Sequence, residues 1–162
     1  MIDEVDRIVA AWRRERPELD VTPLAVLSRV TRLARHLDLA RRDAFAGHNL
    51  DVWEFDVLSA LRRAGEPYQL SPGALVTQTL VTSGTMTNRI DRLVTRGLVE
   101  RLPTPGDRRG VLVRLTTIGR ARVDGALDNL LRVEHRLLAV LTEAEQEVLT
   151  ELLRTLVAPL DA

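Results

Sequence analysis

Residues 82–119 read TSGTMTNRIDRLVTRGLVERLPTPGDRRGVLVRLTTIG, and this stretch decides the fold because its hydrophobic period changes partway along. From Ser83 to Arg96 the apolar residues Met86, Ile90, Leu93 and Val94 recur at helical spacing, and Gly97 ends the run. Beyond it, Leu98 to Leu102 and Val111 to Thr116 are two short apolar-rich runs, which predict strands. Pro103 to Gly110 lies between them as a turn-rich insert, so the two runs predict a β-hairpin. Upstream, Ser71-Pro72 caps another short helix about ten residues before Thr82-Ser83-Gly84. Two short helices joined by a tight turn form a helix-turn-helix, and a hairpin directly after one is a wing.

The flanks are helical. Ile2, Val5, Ile8, Val9 and Trp12 form one stripe over residues 2–16. Thr22-Pro23 reads as an N-cap with proline at the first helical position, opening a helix that runs to about Gly47. Trp53, Val57, Leu58 and Leu61 share a face of a third helix over about 51–64. After Thr117 the helical period resumes through Leu127, Leu130, Leu131, Leu137, Leu138 and Leu141. Thr142-Glu143-Ala144-Glu145 is a capping box for a last helix, whose Val148, Leu149, Leu152, Leu153, Leu156, Val157 and Leu160 make a wide apolar face. The chain therefore predicts a mainly α fold with a small β-hairpin wing, its winged helix-turn-helix over 51–116 and helical regions at 1–50 and 117–162.

Composition narrows the function. The 162 residues are 45% hydrophobic and 3% aromatic, which suits one helical domain of ordinary size. Without cysteine there is no disulfide, thiolate zinc site or thiol switch. The opening residues lack the basic segment and apolar run of a signal peptide, and no run of about 18 apolar residues occurs, so the expectation is a cytoplasmic protein that does not engage a membrane. His36, His48 and His135 are isolated, with no metal-ligand pair, nucleophile triad or phosphate loop around them. No enzyme activity, catalytic residue, metal or cofactor is expected.

All 23 basic residues are arginine and 23 acidic residues cancel them, a neutrality that argues against nucleic acid until the chain is divided. Residues 1–82 carry 11 arginines against 12 acids, residues 83–122 carry 9 against 3, and residues 123–162 carry 3 against 8. The positive charge lies on the helix-turn-helix and wing, where phosphates would be neutralised.

At about 100° per residue, Asn88 lies nearly opposite the apolar face of the second short helix, with Thr85, Arg92 and Arg96 on one outer flank. These side chains suit base edges and phosphates in a major groove, and Arg108 and Arg109 at the wing tip suit a narrow minor groove. The candidate DNA contacts are Ser83, Thr85, Thr87, Asn88, Arg92, Arg96, Arg108 and Arg109. Arg89 sits at the border of the apolar face, where partial cover requires an anionic partner or ligand. Asp107 is placed to brace a wing arginine.

The run from Asp107 through Val113, Leu115 and Thr116 to Gly119 matches D-x-R-x-x-x-V-x-L-T-x-x-G. With Ser83 to Leu93 and Gly97 to Arg101 before it, the chain resembles the MarR family of winged-helix regulators. The resemblance implies a homodimer closed by the N- and C-terminal helical regions, bound to a pseudo-palindrome in double-stranded DNA and usually released by a small molecule. The apolar faces of the first and last helices agree with such an interface independently. Trp12 to Asp20, Trp53 to Leu58 and Asn88 to Arg92 further resemble the urate-responsive PecS/HucR-like branch. That resemblance implies a repressor whose ligand site maps by motif to Trp12, Asp56, Arg89 and Arg101. Trp12 would stack on a planar ring, Arg89 would bind an anion bidentately, and Asp56 with Arg101 would form an ion pair beside them. Three alternatives stand beside urate: a small carboxylate or phenolic ligand, a salt-bridge network that only fixes the wing, and a ligand-independent dimer or adaptor module.

Overall fold

The computed structural model of the protein describes residues 2–160, with the backbone alone at residues 108 and 109. The chain divides into two compact units, Met1–Asp43 and Ala44–Ala162.

The first unit holds α1 (Glu4–Glu15) and most of α2 (Thr22–Ala46). Val5 and Val9 of α1 bury their side chains with Val21 just before α2, the packing that the i, i+4 spacing predicts. Asp3 and Asp6 form a reciprocal cap, each carboxylate accepting the other's backbone N–H at 2.9–3.0 Å. Arg29 of α2 donates to both carboxylates at 2.7–2.9 Å, tying the two helices together. α2 begins at Thr22 itself, and the Asp20 carboxylate accepts the Thr22 N–H at 3.0 Å, so the cap lies before the Thr-Pro pair and not on Thr22.

The cap hydrogen bonds first, and the Arg29 hydrogen bonds second, hold the Asp3 and Asp6 carboxyls below their ordinary range. Carboxyls depressed by folding stabilise the folded state above the ordinary range, and that contribution is lost as pH falls through and below it. Thermal melts followed by circular dichroism should therefore fall in midpoint below about pH 4. The Asp3→Asn/Asp6→Asn double variant should fall less steeply over the same window. Equal acid-side slopes would contradict this role for the pair.

The second unit comprises α3 (Val52–Arg63), β1 (Gln69–Leu70), α4 (Pro72–Thr79), α5 (Ser83–Thr95), β2 (Val99–Thr104), β3 (Asp107–Leu115), α6 (Thr117–Leu138) and α7 (Glu143–Val157), with a 3-10 turn at Ala158–Leu160. Its core joins Leu58 and Leu61 of α3, Leu75 of α4, Met86, Ile90 and Leu93 of α5, and Val123, Ala126 and Leu130 of α6. Phe45 and Phe55 stack within it with centroids 4.0 Å apart. Both helices of the helix-turn-helix thus share one core with α3 and α6, which fixes how α5 is presented.

The three strands form one antiparallel sheet in the order β1-β3-β2. β1 was not expected, since two residues, Gln69 and Leu70, are too few to show a period; they pair with Arg114 and Val113. The hairpin is also longer than its apolar runs suggest. β2 and β3 pair through Pro103↔Val111 to Thr104↔Asp107, so most of the supposed 103–110 insert is strand and only Pro105-Gly106 turns. Proline is tolerated at 103 because β2 is an edge strand and its register shifts there. Gly106 takes φ +80°, as the third position of a turn with proline second requires.

The end of the hairpin is tied to α6 by Thr116. Its hydroxyl donates to the Gly97 carbonyl at 2.7 Å and accepts the Gly119 N–H at 3.0 Å, capping the helix. α7 starts with the expected capping box, Thr142 N–H reaching Glu145 at 2.8 Å. None of its residues is buried, and Val148, Leu152, Leu156 and Val157 are exposed. Among the described residues no helix is long and apolar enough to cross a membrane.

Candidate nucleic-acid interface

Thr82 opens α5 as its N-cap, its hydroxyl accepting the Thr85 N–H at 3.3 Å. Met86, Ile90 and Leu93 point into the core, so the opposite face is delivered to the surface. Ser83, Thr85, Thr87, Asn88 and Arg92 are all exposed there. The Thr85 hydroxyl bonds that of Thr82 at 2.9 Å, and the Thr87 hydroxyl donates to the Ser83 carbonyl at 3.0 Å. Short hydroxyls and an amide beside a guanidinium are the groups that read base edges and phosphate oxygens.

Arg89 is half-buried, as its border position on the helical wheel predicts, and among the described residues the Trp53 ring lies against it. Its guanidinium carbon lies 5.5 Å from the centre of the Trp53 ring, and that of Arg92 lies 4.8 Å from the same ring. Trp53, in the first turn of α3, is itself packed against the core. Its spacing places it among core residues, and that two arginines of α5 reach its ring is a tertiary contact that spacing does not show.

Arg96 corrects an expectation. Its guanidinium bonds the Glu54 carboxylate and the Asn49 carbonyl, and its side chain is only 29% exposed. The helical wheel placed it outward because a wheel describes an isolated helix and omits the carboxylate that α3 buries beneath it. Glu54 is fully buried; one oxygen takes Arg96 and the Asp51 N–H at 2.9 Å, and the other has no hydrogen-bond partner among the described residues. The Asp51-x-x-Glu54 spacing is a capping-box signal that could have singled out Glu54.

The residues assigned to a ligand site stand on four elements: Trp12 on α1, Asp56 on α3, Arg89 on α5 and Arg101 on β2. Arg101 on β2 pairs with Asp91 of α5 at 2.6 Å, a link that ties the wing to the helix beside it. Asp56 lines a cavity of about 180 Å³ with Ser59, Arg63, Gln78 and Thr79; among the described residues neither Arg89 nor Arg101 lines it. Trp12 lies on α1 in the first unit, 48% exposed. The side chains of Arg108 and Arg109 lie outside the described residues.

The pairing also refines the charge count. Of the arginines in residues 83–122, Arg96, Arg101 and Arg114 face Glu54, Asp91 and Glu100, the last pair directly across β2 and β3 at 2.8 Å. Arg120 lies 5.5 Å from the centre of the Tyr68 ring, and Arg62 lies 4.9 Å from the same centre. Among the described side chains, Arg89 and Arg92 are the arginines on α5 with no carboxylate against them.

A helix-turn-helix followed by a wing, with a polar and cationic outer face on the second helix, defines a winged-helix protein. The MarR family model matches residues 48–110. The chain is 38% identical to the HTH-type transcriptional regulator PecS of Dickeya dadantii over 93% of its own length and 90% of that protein's. It is 31% identical to the HTH-type transcriptional repressor NicR of Pseudomonas putida, covering 86% of this chain and 89% of that one. In structure it is similar to a mutant MarR from E. coli complexed with operator DNA, with a TM-score of 0.69 and 30% identity over 85% of this chain and 99% of that one. The chain belongs to the MarR family of transcriptional regulators.

Proposed function

We propose that the protein is a cytoplasmic, non-catalytic repressor that binds a pseudo-palindromic operator as a homodimer and is released by a small anionic, aromatic ligand such as urate. The observation that carries the DNA-binding reading is the outer face of α5, where exposed Thr85, Thr87 and Asn88 flank Arg92 and, among the described residues, no carboxylate opposes Arg89 or Arg92. Arg108 and Arg109 at the wing would add minor-groove contacts. A solved relative that carries operator DNA supports the same reading.

Residues 51–116 would form the reading head, with 1–50 and 117–162 as the dimerisation region. The exposed Val148, Leu152, Leu156, Val157 and Leu160 support dimerisation, because an apolar face of that width is stable in water only when covered. In the ligand reading, Arg89 is the group available to a planar anion, with Trp12, Asp56 and Arg101 completing the response. The Arg101–Asp91 pair favours a second reading for that residue, a brace for the wing in a regulator whose ligand is a small carboxylate or phenol, or which acts without one.

A gel-shift titration against the intergenic DNA upstream of its own gene tests the function. Affinity should fall steeply with salt, at a log–log slope of about −0.9 per phosphate neutralised. Urate, with salicylate as the carboxylate and phenol comparison, should then dissociate the complex at fixed salt. Absence of a shift at low salt overturns the DNA reading, and a shift that neither compound affects overturns the ligand reading in favour of the ligand-independent one.

A further inference from the structure

Two guanidiniums of one helix share a single indole ring. Arg89 and Arg92 are one turn apart on α5, a spacing at which like charges repel. Arg96, on the turn that follows, is drawn to Glu54, and Arg101 to Asp91, yet neither Arg89 nor Arg92 has a carboxylate against it among the described residues. Their common neighbour is Trp53, at 5.5 and 4.8 Å. An aromatic face attracts a guanidinium without cancelling its charge, as a carboxylate would. It also limits the rotamers of a long side chain while leaving its N–H donors free at the edge.

We infer that Trp53 is a positioning residue for DNA recognition: a core-anchored platform that holds Arg89 and Arg92 together, oriented and unneutralised, for the phosphate and base edges of one half-site. Trp53 is suited to this because its ring is packed against the hydrophobic core of the second unit and cannot follow the arginines if they move. Arranging the cations before binding reduces the side-chain entropy lost when DNA immobilises them. The inference rests on the DNA-binding reading of α5, and the wild-type titration decides that reading separately.

The test is a double-mutant cycle in the full-length protein, read as affinity for the upstream intergenic duplex across a salt series, with a random duplex as comparator. Trp53→Leu should weaken binding about tenfold, and Trp53→Phe, which keeps a smaller ring, about threefold. In an Arg89→Gln/Arg92→Gln background, Trp53→Leu should change affinity less than twofold, because the platform then has nothing to hold. If the leucine variant is poorly folded, the phenylalanine variant carries the same cycle. An equal loss in both backgrounds, or no loss in the wild-type background, overturns the inference. A spectroscopic arm removes the second tryptophan with Trp12→Phe, so that emission reports Trp53 alone. DNA should change that emission as the guanidiniums turn toward phosphate, and an unchanged spectrum under saturating DNA contradicts the assignment.

Discussion

Gly119→Ala is expected to destabilise the protein by at least about 3 kcal/mol, enough to remove a large part of an ordinary domain's stability. A Cβ at Gly119 would lie 2.0 Å from the Leu98 carbonyl oxygen and 2.9 Å from its carbon. Both are backbone atoms at the start of the wing, so no rotamer change relieves the clash. The N-terminus of α6 would have to withdraw, breaking the Thr116 hydroxyl's contacts to Gly119 and Gly97 together. Urea unfolding measures this directly. A loss below about 1 kcal/mol would mean that α6 and the wing are not in the close contact described.

Glu54→Ala is the second large effect, expected at about 3 kcal/mol. The buried carboxylate is the acceptor for Arg96 and for the Asp51 N–H, and its loss leaves a largely covered guanidinium and a helix-start donor without that acceptor. Glu54→Gln should cost less, since an amide oxygen still accepts from Asp51. Arg96→Ala should lower the denaturation midpoint, and a Glu54→Ala/Arg96→Ala double variant should lose much less than the two single losses added. Additive losses would show that the two side chains do not act as a pair. The same variants separate two roles for Arg96: a brace changes stability while leaving the preference among DNA sequences intact, whereas a base contact changes that preference by about 1–3 kcal/mol.

Much of this architecture is legible from residue spacing, because its helices start and stop on local chemistry. Ser71, Thr82, Thr116 and Thr142 each cap the helix that follows, and a cap needs only a residue and its neighbours three positions on. The core side of α5 is similarly local, as Met86, Ile90 and Leu93 show. What escaped depends on chain segments far apart. His48, isolated in the sequence, bonds Asn129 at 2.8 Å and lies against Gly125 on α6. β1 exists only because β3 passes beside it. Arg96 looks outward until Glu54 is placed beneath it, and Trp53 looks like core until two arginines from α5 lie across it. The motif Thr116-x-x-Gly119 was readable as a signature, but its cause, the approach of Leu98 to Gly119, is a tertiary fact.

The central claim is that α5 and the wing read DNA as one of a symmetric pair. Hydroxyl-radical footprinting of the upstream intergenic DNA tests it most directly. Two protected patches of equal strength should appear, centred about one helical turn apart on a pseudo-palindrome, with further protection in the flanking minor grooves where the wings reach. A single unpaired patch, or no protection at concentrations that shift the fragment, would contradict the account.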